Sequence, residues 1–266
     1  MTLDHPASHS SRYHGLEDAP DPSSTAAEGP GSHEALEGLQ RAPAHRRRVI
    51  IPPMMEPASP RHHCLIYEGA PSRHLTSVAA VVFKKLTQNH RCLYLNSRPM
   101  VAGMRSYLAA AGVDVTHEIE KGSLVLSSEQ SHLVDGQFDV DRMMDTLAGA
   151  LDQALKDGYA GLWASGDMTW EMGPDKDFSK LVEYEHRLEE FFHQHPEMGG
   201  ICQYHADTLP FDVLRQGFRS HPAVFINETL ILINPYFIHS EPGRQYVPDQ
   251  RVDAAILRLC NSEGLD

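Results

Sequence analysis

The chain has 266 residues, 36 of them acidic and 23 basic, for a formal net charge of −13. A balance this acidic argues against general nucleic-acid binding, which depends on Lys and Arg neutralising phosphates. A mean hydropathy of −0.38, with no run approaching the roughly 20 apolar residues of a membrane span, argues against a transmembrane protein.

The chain opens without a basic segment followed by an apolar one, and its four cysteines include no CxxC pair. A cytoplasmic protein without a disulfide framework is therefore expected. Residues 1–60 are rich in Pro, Ser, Ala, Gly, Glu and His and show almost no hydrophobic periodicity. Such a composition buries too little apolar surface to offset the entropy of ordering, so a disordered or low-complexity segment is expected. A short helix over His33–Arg41 and a basic cluster of Arg46, Arg47 and Arg48 interrupt it. Three arginines are a weak signal for an acidic partner and read as a solvated linker.

From His62 the pattern becomes regular. His63–Gly69 reads as a buried strand, and Leu75–His90 as a helix with Leu75, Val78, Val82 and Leu86 on one face. Arg91–Asn96 is the next strand. Pro99 opens a helix that Gly112 stops, and Gly122–Ser128 is a third strand. The clearest helix runs from an N-cap at Asp139 to Gly158, with Met143, Leu147, Leu151 and Ala154 as its apolar stripe. Tyr159–Trp170 reads as a strand, Phe178–Pro196 as a helix, Gly199–Asp207 as a strand and Pro210–Pro222 as a helix. Ala223–Asn227 and Thr229–Asn234 read as an antiparallel pair, and Val252–Cys260 as a short helix in a C-terminal tail (239–266). Strands alternating with helices imply βαβ crossovers, hence a mostly parallel sheet covered on both faces in one α/β domain over residues 61–238.

In such a sheet, ligands bind beyond the carboxyl ends of the strands. That rule selects Tyr67–His74, Asn96–Arg98, Ser165–Glu171 and Gln203–Asp207. The first of these, read from Gly69 as GAPSRHLT, is a degenerate phosphate loop. His74 stands where a P-loop has its second glycine, and Leu75 where it has the lysine that neutralises phosphate. Arg73 supplies some charge. Asp167 occupies the place of a magnesium-binding carboxylate or else caps a neighbouring loop, and Trp170 beside it is a stacking wall or a lid over the core. His63, His74 and His205 are the three of the 17 histidines that fall where the strand-end rule puts a ligand.

Metal-ligand spacings of the short C-x-x-C or H-x₃₋₅-H kind are absent, so no metal site and no nucleophilic catalytic group are expected. Cys64 and Cys202 would meet across the sheet if their strands are neighbours, which leaves a redox or metal sensor as a third alternative. Glu185 belongs to a run of carboxylates that would ordinarily be solvated. It turns inward if Leu181, Leu188 and Phe192 pack on the sheet.

HHCLIYEG, RCLYLNSRP, GSLVLSSEQSHLVDGQFDVDRMMDTL, GLWASGDMTWEM, LVEYEHRLEEFF and ICQYHADTLPFDVLRQGFRSHPAVFI together resemble the MEDS domain, from about His62 to Ile226. That family is the sensory domain named from methanogens, methylotrophs and the regulator of dichloromethane dehalogenase. The resemblance implies a three-layer, RecA-like α/β domain that senses a small molecule, proposed for the family to be a hydrocarbon derivative, and signals to a partner protein or to transcription. It places pocket positions at His63, Cys64 and Tyr67, at Asp167, Met168 and Trp170, at Glu185, and at Cys202, Gln203 and Tyr204. Of these, His63, Tyr67, Asp167, Trp170, Glu185, Cys202 and Tyr204, with Arg73 and His74 from the first turn, are the nine candidate ligand-binding residues. No helix-turn-helix is visible in the first 60 residues, which argues against direct DNA binding, the cofactor is left open, and the alternative expectation is a divergent RecA-like nucleotide-binding protein.

Overall fold

A computed structural model describes residues 60–173, 177–239 and 249–260. The expectations for residues 1–59 and for the tail outside 249–260 lie outside the described residues. Runs of alternating or continuous apolar residues form the strands β1 (His62–Tyr67), β2 (His90–Leu95), β3 (Leu124–Ser127), β6 (Gly161–Asp167), β7 (Met198–His205), β8 (Ala223–Asn227) and β9 (Leu230–Ile233). A small hairpin, β4 (Leu133–Val134) and β5 (Gln137–Phe138), precedes the long helix. The helices are α1 (Ser72–Thr87), α2 (Arg98–Ala110), α3 (Val115–Glu120), α4 (Val140–Lys156), α5 (Met168–Glu171), α6 (Leu181–Gln194), α7 (Phe211–Ser220) and α8 (Gln250–Cys260).

The main sheet has seven strands in the order β3-β2-β6-β7-β1-β8-β9, every pair parallel except β8 with β9. Strand parity decides which layer each side chain joins. Leu65, Tyr67, Tyr94, Trp163, Ile201 and Phe225 pack with α1, α2 and α3 on one face. Cys64, Ile66, Leu162, Cys202, Tyr204 and Val224 pack with α4, α6, α7 and α8 on the other. The result is a three-layer α/β fold.

Local signals act as their chemistry requires. The Asp139 carboxylate accepts from Arg142 N at 2.8 Å and caps α4, whose stripe of Met143, Leu147, Leu151 and Ala154 is buried. Gly112 (φ +89°) and Gly158 (φ +85°) turn the chain out of α2 and α4 through the left-handed region. Two readings need correction. The sixth strand does not run to Trp170: it ends at Asp167, whose carboxylate accepts from Trp170 N at 2.8 Å and opens the single turn α5. The first helix begins at Ser72, three residues before its apolar stripe, because the first turn of a helix needs no buried face.

Candidate functional site

The helices that follow neighbouring strands β1 and β7 lie on opposite faces, α1 on one and α7 on the other. A crevice at the carboxyl ends of such a pair is where open α/β sheets bind ligands. Four side chains meet there. The Tyr67 ring stacks on His205, with centroids 4.9 Å apart and planes 10° from parallel, and His74 lies 4.9 Å from the Tyr67 centroid on α1. The Tyr67 hydroxyl donates to Asp167 Oδ2 at 3.5 Å. His205 Nε2 is 2.8 Å from the Gly69 carbonyl oxygen, and Gly69 N donates to Asp207 Oδ2 at 2.9 Å, which ties the β1–α1 turn to the end of β7. Beside them, Gln203 donates to Ser165 Oγ at 2.9 Å, and Asn96 donates to the Tyr94 hydroxyl at 3.1 Å. Burial pushes the Asp167 carboxyl above its ordinary range, against the pull of the Trp170 backbone N–H, of His205 and of Tyr67. Burial and the neighbouring Asp167 likewise push the Tyr67 phenol up. This edge is an aromatic and imidazole wall beside a buried carboxyl group raised above its ordinary range.

The turn read as a degenerate phosphate loop has its lysine position packed into the core. Leu75 is a core residue 3% exposed, packed in the α1–α2 layer, so its place in the loop points away from any phosphate. Leu75→Lys should not restore a nucleotide cradle. It should instead cost roughly 2–4 kcal/mol by burying an ammonium without a partner, visible as a lowered unfolding midpoint and unchanged nucleotide affinity.

The remaining candidates fall elsewhere. Glu185, Cys202 and Tyr204 lie on the other face of the sheet, under α6 and α7. His63 shares the α1 face but sits at the start of β1. Its ring is 5.7 Å from Trp163, its Nε2 is 2.8 Å from the Pro60 carbonyl oxygen, and burial lowers its pKa to about 4. Arg73 is on the exposed first turn of α1. Trp170 packs on His132, with centroids 5.3 Å apart. The nine candidates are thus divided between two faces of the sheet.

Under α6 the structure assembles a group that includes two residues sequence reasoning passed over, His62 and His221. His62 Nε2 is 3.3 Å from Glu185 Oε2 and 3.5 Å from Cys202 Sγ, and His221 Nε2 is 3.4 Å from Glu185 Oε2. Cys202 Sγ is 3.8 Å from the same oxygen. The other carboxylate oxygen, Oε1, accepts from the Tyr204 hydroxyl. All four side chains are buried, and one donor atom from each lies within 4.8 Å of all the others. Cys64 is directly opposite Cys202 in the β1–β7 register, as expected if these strands are neighbours. Burial pushes the Glu185 carboxyl up, but His221, His62 and Tyr204 together pull it below its ordinary value. Burial also pulls His62 down, yet Glu185 and Glu189 outweigh it and raise the imidazole, whereas burial beside His62 lowers His221 to about 3. Next to Cys202 a cavity of about 20 Å³ touches Ser165, Gly166, Glu171 and Tyr184, the volume one water needs. Nothing in the spacing announced this group, because its members come from β1, α6, β7 and the α7–β8 junction.

Fold and site together define a three-layer α/β domain with a lysine-free first turn at its carboxyl edge. The sequence profile of MEDS, the methanogen/methylotroph, DcmR sensory domain, matches residues 61–222, and the chain belongs to that family. Among solved structures the chain is similar to an uncharacterized protein, PH0321 from Pyrococcus horikoshii, crystallised in complex with an unknown peptide. That similarity is 15% identical, covers 65% of this chain and 83% of that one, and has a TM-score of 0.47. No curated protein matches the chain. Among the described residues no helix is long and apolar enough to cross a membrane.

Proposed function

We propose that the protein is a signalling component whose MEDS domain binds a small organic molecule at the carboxyl edge and reports it to a partner protein or to transcription. The family is sensory, and the observation that carries the reading is the Tyr67–His205 stack beside the buried Asp167 carboxyl. A buried carboxyl lifted above its ordinary range favours a ligand that hydrogen-bonds to it. The ligand enters where α1 and α7 diverge, and differential binding to two arrangements of those helices is the form the signal takes.

Asp167 carries a cost that the test exploits. Its folded pKa lies above the unfolded one, so the folded state holds the proton more tightly and stability falls as pH rises through that window. Asp167→Asn keeps an N-cap acceptor for α5 and removes the penalty. At pH 7 the variant should melt roughly 2–4 °C higher than the native protein, and the advantage should vanish at pH 4 and below. In a thermal-shift panel of small organic compounds, the shift seen with the native protein should disappear in Asp167→Asn. A ligand shift that survives the substitution contradicts the placement at this edge.

A second reading, a RecA-like nucleotide-binding protein with a degenerate phosphate loop, is favoured by one observation. The turn after β1 and the Asp167 carboxylate at the end of β6 stand at the same sheet edge, with β7 between the two strands. A large thermal shift with ATP and magnesium, absent with the organic panel, selects it.

A further inference from the structure

We infer that His62, Glu185, Cys202 and His221 form a closed, tetrahedral site for a divalent transition metal of the zinc class. The inference rests on the face of the sheet under α6 and stands independently of the reading of the carboxyl edge.

The first argument is geometric. Zinc bonds to nitrogen and oxygen ligands are about 2.0–2.2 Å long and to sulfur about 2.3 Å, so tetrahedral donors stand roughly 3.3–3.7 Å apart. Four of the six donor separations are 3.3, 3.4, 3.5 and 3.8 Å, and all six lie within 4.8 Å. The second is the support around each ligand. His62 presents Nε2 to the group while its Nδ1 lies 2.9 Å from Glu189 Oε2, and His221 presents Nε2 while its Nδ1 lies 2.6 Å from the Gly217 carbonyl oxygen. Each imidazole is therefore held by its outer nitrogen with the inner one free to bind, the arrangement that orients metal-binding histidines. The Tyr204 hydroxyl holds the outer oxygen of Glu185 in the same manner. His221 Nε2, fully buried, has no hydrogen-bond partner. A buried nitrogen without a hydrogen bond, 3.4 Å from a carboxylate oxygen, is costly by itself, and a cation bound between them would satisfy it.

The third argument is charge. On binding, the Cys202 thiol gives up its proton to solvent and both imidazoles bind neutral. Thiolate and carboxylate then cancel the two positive charges, and the centre is neutral inside an apolar core. Two nitrogens, one sulfur and one oxygen at tetrahedral separations suit zinc rather than magnesium or calcium, which take oxygen ligands in larger numbers. With four protein ligands the site leaves no open position, so it is structural: it pins β1, α6, β7 and the α7–β8 junction together. A groove of about 460 Å³ lined in part by Arg61, Glu189 and Pro222 touches His62 from outside.

The test uses the full chain, stripped with a chelator and titrated with Zn(II) and Co(II). A single equivalent should bind. The Co(II) form should show thiolate-to-cobalt charge transfer and tetrahedral visible bands, and a hundredfold excess of Zn(II) over the dissociation constant should raise the melting temperature by about 5–10 °C. Cys202→Ser should abolish the charge-transfer band, whereas Cys92→Ser, on the opposite face of the sheet, should keep it. If Cys202→Ser does not fold, X-ray absorption of the zinc form of the native protein decides, with one sulfur and three lighter ligands expected. Folded protein that takes up less than a tenth of an equivalent, a charge-transfer band that survives Cys202→Ser, or a first shell without exactly one sulfur overturns the assignment.

Discussion

Replacing Glu185 with alanine should cost the chelator-treated protein about 3–5 kcal/mol, the loss expected when one partner of a buried charged network is removed. Glu185 is the one carboxylate in contact with both His62 Nε2 and His221 Nε2, and it accepts from the Tyr204 hydroxyl. Without it, two imidazoles, a phenol and a thiol face one another across a void in the core. Glu185→Gln keeps the shape and an acceptor for Tyr204 and should cost visibly less. Denaturant unfolding of the two variants measures the difference, and a loss below about 1 kcal/mol for Glu185→Ala would show that the network does not bind the two layers together.

The second large effect is expected at Gly217, in the middle of α7. A Cβ there would stand 2.3 Å from Tyr204 Cε1 and 2.4 Å from Cζ, so the tyrosine ring lies directly on the glycine. The same residue's carbonyl oxygen accepts from His221 Nδ1 and Ser220 Oγ. In an exposed helix Gly→Ala gains about 1 kcal/mol. Here overpacking of a rigid ring outweighs that gain, and the net loss should be roughly 2–3 kcal/mol, or about 5 °C or more in melting temperature. The shift of Tyr204 should also weaken its hold on Glu185, so Gly217→Ala and Glu185→Gln should be less than additive in a double-mutant cycle.

Much of the fold was legible because the signals are local. Asp139, Gly112 and Gly158 bound helices by capping and φ chemistry, and the stripes of α4 and α6 follow the helical period. The Leu181, Leu188 and Phe192 stripe was enough to turn Glu185 inward. What periodicity does not contain is strand order, and with it which distant residues become neighbours. The hairpin of β4 and β5 and the helix α3 carry two to six residues each, too few for a period to register. The single turn α5 was hidden because Met168, Thr169 and Trp170 continue the apolar run of β6.

The candidate site shows the same division. Tyr67, His74 and Asp167 were found from the strand-end rule, since that rule needs only where a strand stops. His63 was named by the strand-end rule and the family resemblance, yet it lies at the start of β1, the end opposite the carboxyl edge. The structure turns His62 toward α6 and His63 toward Trp163. His221 lay beyond reach for another reason: it ends a helix 159 positions after His62 in the chain, and only the placement of α7 between β7 and β8 brings it to β1.

The measurement that bears most directly on the sensory reading is native mass spectrometry of the purified full chain, compared with Asp167→Asn and followed by identification of whatever dissociates. The account predicts a small organic adduct on the native protein, reduced or lost in the variant, and no ATP hydrolysis above background by either. An ATP or ADP adduct that requires magnesium, with hydrolysis that Asp167→Ala abolishes, would contradict it.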